Sequence, residues 1–239
     1  MDVTELKQRA ADYAVQFVTP GMVVGLGHGT TAVLAVRRIA QRLRDGELRD
    51  ILGVPCSTLV DATAAALGIP LTTLDDHPVV DITIDGADEV APNLDLIKGR
   101  GGALLREKMI AQASTREIII VDESKLVPAL GSHVAVPVEV IPFGWRWQVG
   151  FLEGLGARVT PRTVENRELY RTDQHNLILD CDFGPIADPP ALARQLESRA
   201  GIAAHGLFLG LVSEVVVGTA HGVRHMTREA GGTVTIIEQ

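Results

Sequence analysis

Apolar residues recur along this 239-residue chain in two textures. Where they fall three and four positions apart they predict helices; short apolar runs between turn residues predict buried strands. Helices are expected over 5–17, 32–44, 59–67 and 103–113, the first capped by Thr4 and stopped at Pro20-Gly21. Strands are expected over 22–26, 51–54, 71–74, 79–84 and 117–121. Strands alternating with helices at this spacing predict a parallel sheet with helical crossovers, a Rossmann-like α/β domain.

After Leu130 the pattern changes. A strand at 134–140, broken by Pro137, precedes a helix at 145–155 and strands at 157–160 and 176–182. A helix at 189–199, with Pro189 in its first turn, and a strand at 201–208 complete the run. This β-α-β-β-α-β order predicts a split βαβ, ferredoxin-like unit. Two apolar strands follow, at 212–217 and 234–237, and the first (VSEVVV) has the composition of a strand covered on both faces. The chain is therefore expected to return to its first sheet. Residues 1–131 and 209–239 form the Rossmann-like catalytic domain, and 132–208 a small inserted α+β domain. That insert carries no catalytic motif and is the expected surface for a homodimer or homotetramer.

Composition narrows the function. Apolar residues make up 46%, enough for a packed core. There are 22 basic and 30 acidic residues, for a net charge of −8, and aromatics are 4%. That balance speaks against a nucleic-acid partner. No run of apolar residues is long enough to cross a membrane, and the N-terminus has no apolar signal core, so a cytoplasmic protein is expected. The 2 cysteines, Cys56 and Cys181, form neither a disulfide framework nor a metal-ligand spacing. His221 and His225 are placed on a solvated loop, and Trp145 and Trp147 at the start of a packed helix. No metal is expected.

Three segments have the residue types for chemistry. Residues 25–31, GLGHGTT, join a strand to a helix. Glycines there let backbone N–H groups approach an anion at the helix start; a tight turn with a threonine cap is the plainer alternative. Residues 85–89, DGADE, place Asp85, Asp88 and Glu89 at a strand's carboxyl end, where α/β sheets bind ligands. They also fit a solvated acidic turn. In residues 98–108, a glycine-rich turn enters a largely apolar helix that contains Arg106, Glu107 and Lys108. An apolar setting raises a carboxylate pKa toward the value a general base needs at neutral pH. A structural ion pair with a nearby Lys or Arg is the alternative for Glu107.

VGLGHGTT (24–31), DGADEV (85–90), LIKGRGGALLREK (96–108) and VDESK (121–125), in this order, resemble the ribose-5-phosphate isomerase type A family. ELK at 5–7 and PVEVIPFGW at 137–145 also fit, so the resemblance spans essentially the whole chain. It implies an aldose–ketose isomerase of the pentose phosphate pathway, without cofactor, acting on ribose 5-phosphate and ribulose 5-phosphate. By motif matching, Glu107 resembles the general base, Asp85 and Asp88 the sugar-hydroxyl contacts, with Asp85 a candidate in ring opening, and Lys98 the active-site lysine. His28, Gly29, Thr30 and Thr31, with Lys7 and Lys125, resemble phosphate and sugar contacts. Gly86, Ala87, Gly99, Arg100 and Gly101 complete the implied substrate site. Two positions depart from the family pattern: His28 stands where a threonine or similar small residue is usual, and Arg100 where a glycine is common. Either the His28 imidazole faces the substrate, or only its backbone takes part.

Two other classes compete. Sugar-phosphate-sensing effector modules resemble this sheet and loop, but follow a DNA-binding helix-turn-helix that this chain is expected to lack. Coenzyme A transferase-like enzymes place a catalytic glutamate on a related fold, without the 98–108 run.

Overall fold

The computed structural model describes residues 2–239. In chain order its elements are α1 (Val3–Val15), β1 (Val23–Leu26), α2 (Ala32–Arg44), β2 (Leu52–Pro55), α3 (Thr58–Ala66), β3 (Ile82–Asp85), β4 (Glu89–Val90), β5 (Leu96–Ile97), α4 (Leu104–Ala113) and β6 (Glu117–Asp122). The second half adds β7 (Val136–Val140), α5 (Trp145–Gly154), β8 (Arg158–Pro161), β9 (Leu177–Asp182), α6 (Pro189–Glu197), β10 (Ile202–His205), β11 (Leu207–Phe208), β12 (Glu214–Thr219), β13 (Gly222–Arg228) and β14 (Val234–Glu238).

All of β6, EIIIVD, is buried because helices or loops cover both faces of the sheet it centres. That sheet has seven strands in the order β14-β13-β12-β6-β3-β1-β2. From β2 to β12 neighbouring strands run parallel; β13 and β14 are antiparallel. One face packs Ile82, Ile84, Ile118 and Ile120 against α1 and α2. The other sets Ile119, Val121 and Val215 against Ala111 of α4 and Phe208 of β11.

The helices follow their sequence periods. In α2, Ala32, Ala35, Val36, Ile39 and Ala40 are buried at spacings of three and four. The cap of α1 is Asp2 rather than Thr4, with the Asp2 N–H donating to Glu5 at 3.3 Å. Ser57 caps α3 by accepting from the Val60 N–H at 3.1 Å.

Between β6 and β12 the chain leaves this sheet. Strands β7 to β10 form a second sheet, order β10-β7-β9-β8, all antiparallel, with α5 and α6 as the crossovers. This is the split βαβ arrangement. Its core includes Val138, Val140, Leu152, Leu179 and Leu196. Strand β12 then pairs with β6 through Val216↔Ile120.

Several expectations are corrected. Residues 71–74 contribute only a bridge from Leu71 to Gly53, not a strand. Residues 201–208 split: β10 stays in the small sheet, while β11 joins β5 and β4 in a three-stranded sheet between the two large ones. His225 lies in β13, buried, instead of on a solvated loop. Trp147 is not packed at the start of a helix core; it is 66% exposed with Arg199 stacked on it at 3.6 Å.

Candidate active site

β1, β2, β3 and β6 deliver their carboxyl ends to one edge, and the three candidate segments meet there. A cleft of about 110 Å³ is lined by Lys7, His28, Gly29, Thr30 and Thr31 from the first segment and its surroundings. Gly86, Ala87 and Asp88, then Lys98 through Gly101, Glu107 and Lys125, complete the lining. Asp85 lies directly beneath, fully buried.

The loop after β1 passes close over β3. A Cβ at Gly27 would overlap the Asp85 carboxylate, so only glycine lets the two approach. In return the His28 N–H donates to Asp85 Oδ1 at 3.0 Å. Thr31 occupies the N-cap position of α2, but its side chain makes no capping hydrogen bond. The Gly29–Thr31 turn that leads into α2 lines the cleft, and no side chain caps the helix start, an arrangement suited to an anion. Lys7 reaches in from α1 and donates to Thr30 Oγ1 at 3.2 Å.

Lys98 holds the centre. It is 2% exposed, with its Nζ 2.9 Å from Asp85 Oδ2 and 3.2 Å from Glu107 Oε1, and it also donates to the Gly86 carbonyl. Desolvation works against its charge, but the Coulombic pull of Asp85 and Glu107 is stronger and holds its pKa above the ordinary lysine range. Phe208 lies beneath, its ring centroid 5.6 Å from Lys98 Nζ and 5.0 Å from Lys108 Nζ.

Glu107, on the buried face of α4, is 5% exposed. Its Oε2 has no hydrogen-bond partner among the described residues. Burial pushes its pKa up, Lys98 opposes, and Asp85 adds to the rise, leaving it at about 8. Glu107 is thus ion-paired, and its partner is the cleft lysine itself.

The acidic segment divides by function. Asp85 faces Lys98, and Asp88 Oδ2 accepts the Arg100 N–H at 3.0 Å at the cleft wall. Glu89 faces away from both: it is buried and accepts from the N–H groups of Gly131 (2.6 Å), His133 (2.5 Å) and Val134 (3.0 Å). It anchors the link into the second sheet. Lys108 is likewise structural. It donates to the carbonyls of His205 (2.7 Å) and Leu207 (2.9 Å), tying α4 to the β10–β11 turn.

Sequence reasoning did not single out three residues that support the cleft. Ser57 Oγ lies 2.9 Å from His28 Nδ1 and fixes the imidazole, whose ring stands against Gly101. Cys56 precedes it. The available signal was β2 itself: a strand parallel to β1 must bring residues 56–57 to the same edge. Arg162, from the small sheet, donates to the carbonyls of Gly99 (3.1 Å) and Arg100 (2.9 Å) while paired with Asp180. Asp173 accepts from the Thr58 N–H at 2.8 Å and clasps the start of α3. No local pattern marks Arg162 or Asp173, since their partners lie far away in sequence.

Comparison with known proteins places this geometry. The profile of the family described as ribose 5-phosphate isomerase A (phosphoriboisomerase A) matches residues 52–222. The ribose-5-phosphate isomerase A of Chloroflexus aurantiacus is 57% identical over 228 residues, covering 95% of each chain. A solved D-ribose-5-phosphate isomerase in complex with phospho-erythronic acid superposes with a TM-score of 0.93 at 39% identity, covering 95% of this chain and 100% of that one. The ribose 5-phosphate isomerase A of Methanocaldococcus jannaschii gives 0.90 at 38% identity, again covering 95% and 100%. This chain belongs to the ribose 5-phosphate isomerase A family.

Proposed function

We propose that the protein interconverts D-ribose 5-phosphate and D-ribulose 5-phosphate through a cis-enediolate, with Glu107 as the single base. The open-chain aldose gives its C2 proton to Glu107, and the electron pair moves through C1=C2 onto O1. Glu107 then returns the proton to C1, while the O2 hydroxyl proton is lost as the C2 carbonyl forms and O1 is protonated. One carboxylate suffices because both carbons present the same face to it.

The observation that carries this reading is Glu107 Oε2, buried without a partner and beside the Lys98 ammonium. A base with a free lone pair at a raised pKa is matched to removing a carbon-bound proton near neutral pH. Lys98 and the N–H groups of residues 99–102 supply donors where oxyanion charge develops. Asp85, hydrogen-bonded by two N–H groups and paired with Lys98, serves ring opening and orients the lysine. Asp88 takes a sugar hydroxyl. The phosphate sits on the N–H groups of residues 29–31 with Lys7, and Lys125 completes the positive rim.

We place the domain boundaries at 131/132 and 208/209, and self-association, as a homodimer or homotetramer, on the small domain. Phe143 at 90% exposure and Trp147 beside it leave a large apolar surface there. A solution mass equal to one chain would reject self-association. The two free, buried thiols suit a reducing compartment, the cytoplasm.

The deciding assay incubates purified protein with ribose 5-phosphate in EDTA and measures ketopentose phosphate. Formation at an undiminished rate is expected, because Lys98 supplies the positive charge beside the reacting oxygens. Activity abolished by EDTA and restored by zinc or manganese would reject the mechanism. No turnover under any condition, with sugar phosphate still bound, would favour an effector module.

A further inference from the structure

Cys56 has no part in the isomerisation described above, yet it stands at the base of the same cleft. β2 ends at Pro55, and the next residue arrives at the sheet edge beside Asp85. Cys56 is a free thiol, 1% exposed. Its Sγ, an Asp85 carboxylate oxygen and a Glu107 carboxylate oxygen all lie within 4.8 Å of one another. Glu107 Oε2 accepts no hydrogen bond among the described residues, so one donor of the three has an uncommitted lone pair.

The charges leave room for a cation. With both acids ionised, Asp85 and Glu107 outweigh the single Lys98 ammonium by one negative charge. A divalent ion that displaces the thiol proton brings the cluster to neutrality. A tetrahedral ion bonded ~2.0–2.3 Å from each donor holds its donors ~3.3–3.8 Å apart. That separation lies inside the observed limit. The donor set selects the metal: one sulfur and two carboxylates suit Zn²⁺ or Cd²⁺. Mg²⁺ and Ca²⁺ need more oxygen ligands than this pocket holds.

We propose that Cys56, Asp85 and Glu107 form an inhibitory site for a thiophilic divalent cation, Zn²⁺ or Cd²⁺. The Cys56 S–H proton leaves to solvent, a sulfur–metal bond forms, and no oxidation state changes. Glu107 becomes a ligand and can no longer accept a carbon-bound proton. Binding depends on the geometry alone; the inhibition rests on Glu107 being the base. Cys181, buried in the core of the small domain, has no such neighbours and serves as the internal control.

The test titrates Cd²⁺ into chelator-stripped full-length protein. It follows the ultraviolet thiolate-to-cadmium charge-transfer band and, in parallel, the isomerase rate. One equivalent should generate the band, and the rate should fall with the same midpoint; Mg²⁺ should do neither. Cys56→Ser and Cys56→Ala should both lose the band. Losing the thiolate should raise the half-inhibitory Cd²⁺ concentration on the order of tenfold or more. Their rates in EDTA should stay close to wild type, and Cys181→Ser should behave as wild type throughout. A band that survives in both Cys56 variants, or an inhibition midpoint unmoved by them, overturns the site. No band alongside a normal rate in EDTA overturns the site and leaves the isomerase reading standing. A band without inhibition overturns the inhibitory role and, with it, Glu107 as the base.

Discussion

Two buried carboxylates, Glu214 on the seven-stranded sheet and Glu107 on α4, have opposite fates. At the amino-terminal end of β12, Glu214 receives Arg116 through both of its oxygens, the second at 2.7 Å. The same Oε2 lies 2.6 Å from His225 Nε2, whose Nδ1 is 3.3 Å from the Tyr13 hydroxyl. Burial opposes ionisation there, but Arg116 and His225 outweigh it and hold the pKa below the ordinary value. At the carboxyl edge Glu107 has one cation for two carboxylates, one oxygen without a partner, and a pKa near 8. The first arrangement satisfies every oxygen and stabilises the fold. The second leaves a lone pair free, which is destabilising to folding and useful to chemistry. Burial and an ion pair are common to both, so neither marks a site by itself; Glu107 differs in combining an unpartnered oxygen with a place in the cleft lining.

The strongest attempt to break this contrast exchanges each acid for its amide. Glu107→Gln should fold normally, retain sugar-phosphate binding, and lose ~10²–10⁴-fold in kcat, the range for a positioned general base. A variant with half of wild-type turnover would remove Glu107 from that role. Glu214→Gln should do the reverse. It keeps kcat per folded molecule but lowers unfolding free energy by about 2–3 kcal/mol, as for lost hydrogen bonds between charged groups. Denaturant titration reads it, and an unchanged midpoint would show that the network contributes nothing.

The contrast also shows what was legible in the sequence. The α/β alternation set the layers, and α2 was predicted to the residue because Ala32, Ala35, Val36, Ile39 and Ala40 repeat cleanly. β13, GVRHMTR, escaped because His225 and Arg224 mask its alternation, and the partners that make a buried histidine tolerable, Glu214 and Tyr13, lie 11 and 212 positions away. The cleft motifs were visible because each is local and glycine-rich. Their division of labour was not: Glu89 carries the same carboxylate group as Asp85, and only the arrival of the N–H groups of Gly131, His133 and Val134 makes it structural. Ser57, Arg162 and Asp173 act across the sheet edge or the domain junction, where spacing carries no information.

The two carboxylates should separate along the pH axis as well. A base with a pKa near 8 is protonated below it, so kcat/KM of wild type should fall as pH drops from 8. The fall should approach about tenfold per unit, with measurements kept above the substrate phosphate pKa of ~6. Glu214 has the opposite sign. Its depressed folded pKa contributes stability that is present above the unfolded value of 4.5 and lost as pH falls further. Activity should therefore decline over a range in which Glu214 stays ionised and its contribution to stability is constant. A kcat/KM profile flat from pH 6.5 to 9 would place the Glu107 pKa elsewhere.

The smallest effect concerns His28, in the loop between β1 and α2. Its backbone N–H is committed to Asp85, and its Nδ1 to Ser57. Burial lowers its pKa from 6.5, with Asp85 opposing and Lys98 adding to the fall, so the ring is neutral at neutral pH. A neutral ring held by Ser57 adds no charge to phosphate binding, which leaves that task to the N–H groups of the loop. His28→Thr keeps those groups and places a hydroxyl near the same spot. KM should change by less than about threefold, under ~1 kcal/mol. The sharper measurement is the ratio of wild-type to variant affinity against pH, because the titration of the substrate phosphate cancels in it. That ratio should be flat from pH 6.5 upward. A ratio that climbs as pH falls through ~6.5 would mean a protonated imidazole facing the phosphate. The Ser57 contact would then hold a cation in place, and His28 would belong with Lys7 and Lys125 among the charged groups proposed to hold the ligand.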